Sequence, residues 1–353
     1  MKKVLAMLLV LLFVVAACAP AAPTTPTAPP ATPTAPAESG GDGTPAPKHI
    51  SIYTNISGTS TYVLGVALAD IINRHSDWLS ATALESPGPT ETASMLMASP
   101  DRWQNAIGYI IIADALIGTP PFTEPIDAFR GIATYGLVSN VYMTTNPDIR
   151  TLEDLQGRRV AIGTRPNVPR VDLQERMFEI LGVEPVFEML TFGAGVTALS
   201  DGRVDAVLGG AFAVDSNWER WIPNPALAEL LARDTVYYIP MDENALWEAK
   251  RSLNHEIMPG VVTVPAGLYD SNWNEPLTIM AHFLTWSAHY TFPDATIQEI
   301  LRVMFENYAE FANYMENGAF ITPENMAQMC IPESIHPAAE AFFLEHGIYI
   351  PRR

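Results

Sequence analysis

The chain has 353 residues with 20 basic and 39 acidic side chains, a formal charge of −19, and a hydrophobic content of 48%. This length and apolar content suffice for one large or two ordinary domains, which excludes a largely disordered chain. The negative charge argues against a nucleic-acid partner, because such binders neutralise phosphates with basic side chains. The two cysteines exclude a disulfide-rich scaffold.

The N-terminal segment has the pattern of a secretory signal. Lys2 and Lys3 precede the apolar run Val4–Val15, which is too short to span about 30 Å of hydrocarbon. Small residues then lead to Cys18, and this ending resembles the lipobox of bacterial lipoproteins, in which the cysteine is lipidated. We predict a lipoprotein signal peptide over 1–17. An ordinary signal peptide with a chance cysteine is the alternative.

A linker follows the predicted lipidation site. Residues 18–48 consist mostly of Ala, Pro and Thr, followed by a few Gly and Ser residues, and they lack the periodic apolar positions that a core needs. Pro-rich chains of this kind act as semi-extended spacers. The predicted arrangement is an extracytoplasmic folded part that a lipid anchor at Cys18 keeps close to the cell membrane.

The first part of the folded region alternates strands and helices. The predicted elements are strand His49–Thr54, helix Val63–Arg74, strand Ser80–Glu85, helix Thr90–Ala98 and buried strand Gln104–Ala113. This order is typical of a parallel sheet covered by helices.

A second alternating set follows. The predicted elements are a long strand Gly131–Thr145, a strand ending at Gly163, helix Val171–Leu181 stopped by Gly182, strand Val186–Leu190, a helix at Gly195–Ser200, strand Val204–Leu208 and strand Gly260–Pro265. Helices are predicted to dominate from Glu275 to Tyr314.

Three segments carry a family resemblance. They are A-L-A-D-I-I-N-R at Ala67–Arg74, L-E-D-L-Q-G-R-R-V-A-I-G at Leu152–Gly163 and L-S-D-G-R-V-D-A-V at Leu199–Val207. In this order, behind a lipoprotein signal, they resemble the TAXI family of solute receptors, which are the binding subunits of one class of TRAP transporters. The resemblance covers residues 49–345.

The resemblance implies the type II periplasmic-binding-protein fold, with two α/β lobes and a ligand cleft between them. Residues 49–138 and 242–353 would form lobe one, and 139–241 lobe two. It also implies a small organic acid or amino acid ligand, such as glutamate, and TRAP membrane permease subunits as partners. A ligand-sensing lipoprotein or an ABC-importer binding protein of the same fold is the alternative function.

Ligands of open parallel sheets bind beyond the carboxyl ends of the strands, where helix N-termini favour carboxylates. Three loops qualify, at 57–62, 89–92 and 164–170, although plain helix capping also explains the first two. Either Arg165 or Arg170 could pair with a carboxylate. The candidate ligand-binding residues are Ser57, Gly58, Thr59, Ser60, Tyr62, Thr90, Tyr109, Thr164, Arg165, Asn167, Arg170, Gly210 and Phe212.

The loop at 164–170 departs from the family, which usually carries small Gly and Ser residues there. Its two prolines and two arginines change both shape and charge. Glutamate is therefore in doubt as the ligand, and a larger or more acidic one remains open.

Enzymatic motifs are missing from the sequence. It contains no G-x-S-x-G, no H-E-x-x-H and no G-x-x-x-x-G-K-[ST]. His282 and His289 lie seven apart on a predicted helix, where core or surface histidines are a better interpretation than a zinc pair. Cys330 is predicted to be buried. We therefore predict a non-enzymatic protein without a metal or cofactor.

Overall fold

The computed structural model describes residues 45–118, 120, 122–215, 217–267 and 269–352. The predicted signal peptide, Cys18 and the linker up to residue 44 lie outside the described residues. In the described part, no helix is both long enough and apolar enough to cross a membrane.

The strands are β1 (Lys48–Tyr53), β2 (Leu79–Leu84), β3 (Ala106–Tyr109), β4 (Phe129–Thr144), β5 (Arg159–Ala161), β6 (Val186–Glu188), β7 (Ala206–Gly209), β8 (Ala211–Ala213), β9 (Trp221–Pro223), β10 (Tyr237–Ile239), β11 (Pro259–Val264) and β12 (Leu277–His289). The α-helices are α1 (Ser60–His75), α2 (Pro89–Met97), α3 (Ile112–Ile117), α4 (Leu173–Leu181), α5 (Phe192–Ser200), α6 (Pro225–Arg233), α7 (Glu243–Ser252), α8 (Asp294–Asn307), α9 (Pro323–Met326) and α10 (Pro337–Glu345). A π-helical turn, Val168–Asp172, leads into α4.

One sheet runs through the described chain in the order β2-β1-β3-β12-β4-β7-β5-β6. Strand β1 pairs in parallel with β2 and β3, and β5 pairs in parallel with β6 and β7. Between these parallel groups lie β12 and β4, which pair antiparallel with each other. The sheet is thus two parallel α/β halves joined by one long antiparallel pair, and the predicted α/β class is confirmed.

Helices pack against the sheet in three apolar clusters of the described chain, and the largest of them extends from the first half into the second. Ile52, Leu68 and Ile300 are fully buried in the first half, where α1 and α8 cover the strands. Phe178 and Leu246 belong to a separate core in the second half, where α4 packs on α7. This packing fixes the strand ends, and with them the loops that carry the candidate site.

Several predicted elements are confirmed, including the first two strands and the first two helices. Helix α4 ends as predicted at Gly182, whose φ of 67° lies in the left-handed region that glycine adopts without strain. The predicted strand over Gln104–Ala113 is wrong in its second half, because β3 ends at Tyr109 and α3 begins at Ile112.

The prediction that helices dominate from Glu275 is wrong for the first part of that region. Residues Leu277–His289 form β12, and the α-helix α8 begins only at Asp294. Strand β12 lies in the middle of the sheet and is buried on both faces, so its sequence shows no alternation of apolar and polar residues. His282 and His289 therefore lie on a strand, not on one face of a helix.

Candidate functional site

A cavity of about 240 Å³ lies where loops from both halves of the sheet meet the central pair β4 and β12. Its walls come from the carboxyl ends of β1, β3 and β5, which is where open α/β sheets bind ligands. The lining residues are Asn55, Thr59, Ser60, Thr61, Pro89, Tyr109, Ile111, Val138, Asn140, Asn167, Pro169, Arg170, Phe212, His282 and Leu284.

The N-terminus of α1 forms one wall of the cavity. Thr59 caps this helix, since its Oγ1 accepts a hydrogen bond from the Tyr62 amide at 3.3 Å. Gly58, with a φ of 85°, makes the turn into the cap. The first turn of α1 has no acidic side chain, so its first amides and the positive end of the helix dipole remain available to an anion.

The opposite wall carries Arg170, in the π-helical turn. Asn167 caps this turn, and its Oδ1 accepts a hydrogen bond from the Arg170 amide at 3.1 Å. The half-buried guanidinium donates to the carbonyls of Leu208 and Ile162, and its Cζ lies 5.6 Å from the centroid of the Phe192 ring.

No carboxylate pairs with Arg170 within the part of the chain that the structure describes. Burial removes water from the guanidinium and lowers the pKa of Arg170 to about 10. The side chain is still charged at neutral pH, so the cavity contains a poorly solvated cation whose countercharge is missing from its described neighbours. An anionic group placed in the cavity would neutralise this charge.

Arg165 lies in the same loop but has a different environment. Its guanidinium forms ion pairs with Asp172 and Glu175 and is about half exposed. Arg165 does not line the cavity. The structure thus separates the two arginines that the sequence left as alternatives.

Two polar side chains on the central strands line the cavity and were missed by sequence reasoning. Asn140 lies on β4 and His282 on β12, and both are buried. The signal for both was a polar residue inside a long apolar run. Asn140 lies in the run that was correctly predicted to be a strand. His282 lies in a run that was predicted to be helical, so its place in the sheet could not be inferred.

The His282 ring is neutral. Burial, together with the nearby basic side chains, above all Lys250, lowers its pKa to about 3. Its Nδ1 is enclosed and has no hydrogen-bond partner among the described residues. His282 can therefore act on a ligand as a hydrogen-bonding group, but it adds no charge.

Tyr109 completes the polar lining near β3. Its ring packs edge-on against Tyr135, with 6.1 Å between centroids, and Tyr135 stacks on Trp286 at 4.1 Å. Burial raises the pKa of Tyr109 far above its usual range, so its hydroxyl is neutral at any physiological pH. The aromatic stack holds this residue in place at the cavity wall.

Six of the candidate residues line the cavity, namely Thr59, Ser60, Tyr109, Asn167, Arg170 and Phe212. The others lie outside its lining, namely Ser57, Gly58, Tyr62, Thr90, Thr164, Arg165 and Gly210. The Thr90 hydroxyl donates instead to Asp114 Oδ2 at 3.0 Å. A Cβ at Gly210 would lie 2.1 Å from the Ser139 carbonyl oxygen, so close strand packing accounts for that glycine.

A wider surface groove of about 520 Å³ lies elsewhere, lined in part by Arg150, Tyr237 and Trp273. Its cation is already engaged, because the Arg150 Cζ lies 4.4 Å from the centroid of the Tyr237 ring. No residue of this groove belongs to the lining of the cavity at the strand ends.

The fold is an α/β sheet of two parallel halves, and a cavity of small-molecule size lies at its strand ends. The chain belongs to the NMT1-like family, which it matches over residues 52–347. It is similar to a solved structure of a periplasmic transporter, with a TM-score of 0.51 and 11% identity, covering 84% of this chain and 92% of that one.

Two further solved structures show looser similarity. MatC from Rhodopseudomonas palustris with bound malate has a TM-score of 0.48 and 12% identity, covering 85% of this chain and 96% of that one. The periplasmic aliphatic sulphonate binding protein SsuA from Escherichia coli has a TM-score of 0.44 and 15% identity, covering 85% of this chain and 84% of that one. Among curated protein sequences, none matches this chain significantly.

The predicted two-lobed periplasmic-binding-protein fold is thereby confirmed. The lobe boundaries predicted at residues 138 and 241, and the contacts of the cavity residues with a ligand, stay predictions.

Proposed function

We propose that the protein is the receptor of a TRAP-type transporter of the TAXI class and captures a small organic carboxylate in the cavity between its lobes. One observation carries this proposal. Arg170, without a carboxylate partner in the described chain, lines the same small cavity as the N-terminus of α1.

The two groups act from different halves of the protein. Arg170 follows β5 in the second half, and α1 follows β1 in the first. A guanidinium matches a carboxylate with two parallel hydrogen bonds, and helix amides add further donors. A carboxylate bound by both groups therefore stabilises the closed arrangement of the lobes, and closure shifts the population towards the form that a permease recognises.

The TRAP and TAXI assignment is supported by the ordered segments Ala67–Arg74, Leu152–Gly163 and Leu199–Val207, and the lipid anchor by the residues that precede Cys18. Its test is transport in vesicles that contain the receptor and a TRAP permease. We expect uptake driven by an ion gradient without ATP. Uptake that requires an ATPase would assign the protein to an ABC importer instead.

The first prediction compares the two arginines of the loop at 164–170. Arg170→Met removes the charge from the cavity, and truncating one partner of a buried charged pair costs about 2–5 kcal/mol. Carboxylate affinity should therefore fall by about 30-fold or more. Isothermal titration calorimetry on refolded, ligand-free protein measures this loss.

The matched control is Arg165→Gln, five positions away and outside the cavity lining. It removes the surface pairs with Asp172 and Glu175 and should leave the affinity within about twofold, because exposed ion pairs contribute little. If the two substitutions lowered the carboxylate affinity equally, Arg170 would not be part of the binding site.

A further inference from the structure

We infer that the ligand is a monocarboxylate with an uncharged oxygen on the neighbouring carbon and an apolar tail, that is, a 2-oxo or 2-hydroxy acid rather than an amino acid or a dicarboxylate. This inference rests on the proposed capture of a carboxylate. It follows from the charge, the hydrogen-bonding groups and the size of the cavity.

The charge of the lining matches one carboxylate. Arg170 is its single charged side chain within the described residues, and none of the lining side chains there is an Asp or a Glu. An α-ammonium group would lose its water with no carboxylate to receive it, which is costly. The N-terminus of α1 carries only about half a positive charge, so it supplements Arg170 but cannot balance a second carboxylate alone.

A buried carboxylate outside the lining, Asp114, is already engaged. Its Oδ1 lies 2.9 Å from His255 Nε2, and its Oδ2 accepts a hydrogen bond from Thr90 at 3.0 Å. Asp114 does not line the cavity. It is therefore unavailable as the partner that an amino acid ligand needs.

His282 accounts for the uncharged oxygen. The residue lines the cavity at 5% exposure, and its Nδ1 has no acceptor in the described chain. The single proton of the neutral ring is therefore better placed on Nε2, where a ligand oxygen can accept it. An oxo or hydroxyl oxygen does so without bringing a charge.

The rest of the cavity suits an apolar tail. Ile111, Val138, Phe212 and Leu284 contribute apolar side chains to its walls. Its volume of about 240 Å³ leaves room for a small acid with about nine non-hydrogen atoms. 4-Methyl-2-oxopentanoate has this size, and its close analogues differ only at the second carbon.

The test is calorimetric titration of refolded protein with four acids of one skeleton: 4-methyl-2-oxopentanoate, 2-hydroxy-4-methylpentanoate, 4-methylpentanoate and leucine. Glutamate and 2-oxoglutarate represent dicarboxylates. We expect the oxo and hydroxy acids to bind, the unsubstituted acid to bind about fivefold to tenfold more weakly, and leucine and both dicarboxylates about a hundredfold more weakly.

Two variants assign this preference to His282. His282→Phe should remove the preference for the oxo acid over 4-methylpentanoate, and His282→Gln, which keeps a donor, should retain part of it. The control His289→Gln alters a residue on the same strand outside the cavity lining and should keep the full ratio. Because the ratio is measured within one protein, a modest loss of stability does not change it.

The outcomes separate this inference from the function on which it rests. If leucine or a dicarboxylate bound tightly, and Arg170→Met abolished that binding, the inference about the ligand would be overturned. The proposed function as a carboxylate receptor would stand. If His282→Phe left the ratio of the affinities for the oxo acid and 4-methylpentanoate unchanged, His282 would have no part in recognising the second oxygen. Failure of every carboxylate to bind folded, ligand-free protein would overturn both proposals.

Discussion

His282 couples the cavity to the stability of the protein, because its ring must stay neutral in the folded state. In the unfolded chain the histidine takes up a proton below about pH 6.5, whereas in the folded protein its pKa is lowered to about 3. The unfolded state thus binds more protons between these values. The free energy of unfolding should fall with decreasing pH by about 1.4 kcal/mol per unit from this residue alone.

Urea unfolding of the wild type and of His282→Gln over pH 4 to 7 measures this contribution. Carboxylates with lowered pKa values, such as Glu299 and Glu310, also lower stability in acid, so the difference between the two proteins is the relevant quantity. Parallel pH profiles for the two proteins would mean that His282 takes up its proton as readily in the folded state as in the unfolded chain.

The residue scale also shows what the sequence could not decide. Arg165 and Arg170 lie in one polar loop. Arginine is common both in surface ion pairs and in the walls of anion-binding cavities, so the residue type does not distinguish the two. The choice depends on the π-helical turn, which directs Arg170 to the carbonyls of Leu208 and Ile162 and leaves Arg165 beside Asp172 and Glu175. These contacts come from other elements, so local pattern could not reveal them.

At the scale of elements, α1 both supports the fold and presents its N-terminus to the cavity. Thr59→Ala removes the hydrogen bond to the Tyr62 amide, and loss of such a cap costs about 1 kcal/mol of stability. We expect a carboxylate affinity lower by about threefold to tenfold as well, because the first turn frays at the ligand. Urea unfolding and calorimetry measure the two effects.

The control is Asp242→Ala, which removes the cap of α7, where Asp242 Oδ1 accepts from the Ala245 amide at 2.7 Å. This cap lies outside the cavity lining, so stability should fall by a similar amount while affinity stays unchanged. If Thr59→Ala lowered stability alone, the N-terminus of α1 would have no part in binding.

Element prediction succeeded where periodicity was informative. Helix α1 has apolar residues at helical spacing, and β1 alternates. It failed for β12, where an apolar run buried on both faces cannot be distinguished from a buried helix without knowing its neighbours β3 and β4. Because His282 lies on that strand, the same failure concealed one wall of the site.

For the whole molecule, the proposed anchor makes a prediction about location. If Cys18 carries lipid, wild-type protein should remain with the membrane fraction after washing with salt, since two or more acyl chains give stable attachment. Cys18→Ser should release the protein into the soluble fraction with unchanged carboxylate affinity. Fractionation followed by immunodetection checks this, and wild-type protein free of membranes would contradict the anchor.

The position of β12 also determines when the protein can fold during its synthesis. Strands β3 and β4 are made early, yet each has β12 as a neighbour, and β12 is made only near the end of the chain. Until residue 289 has been synthesised, the edges that β3 and β4 present to β12 lack their partner, and long-range pairing of this kind is slow. The centre of the sheet can therefore be completed only after the last quarter of the chain has been made, whereas the parallel pairs on either side of it need no part of β12.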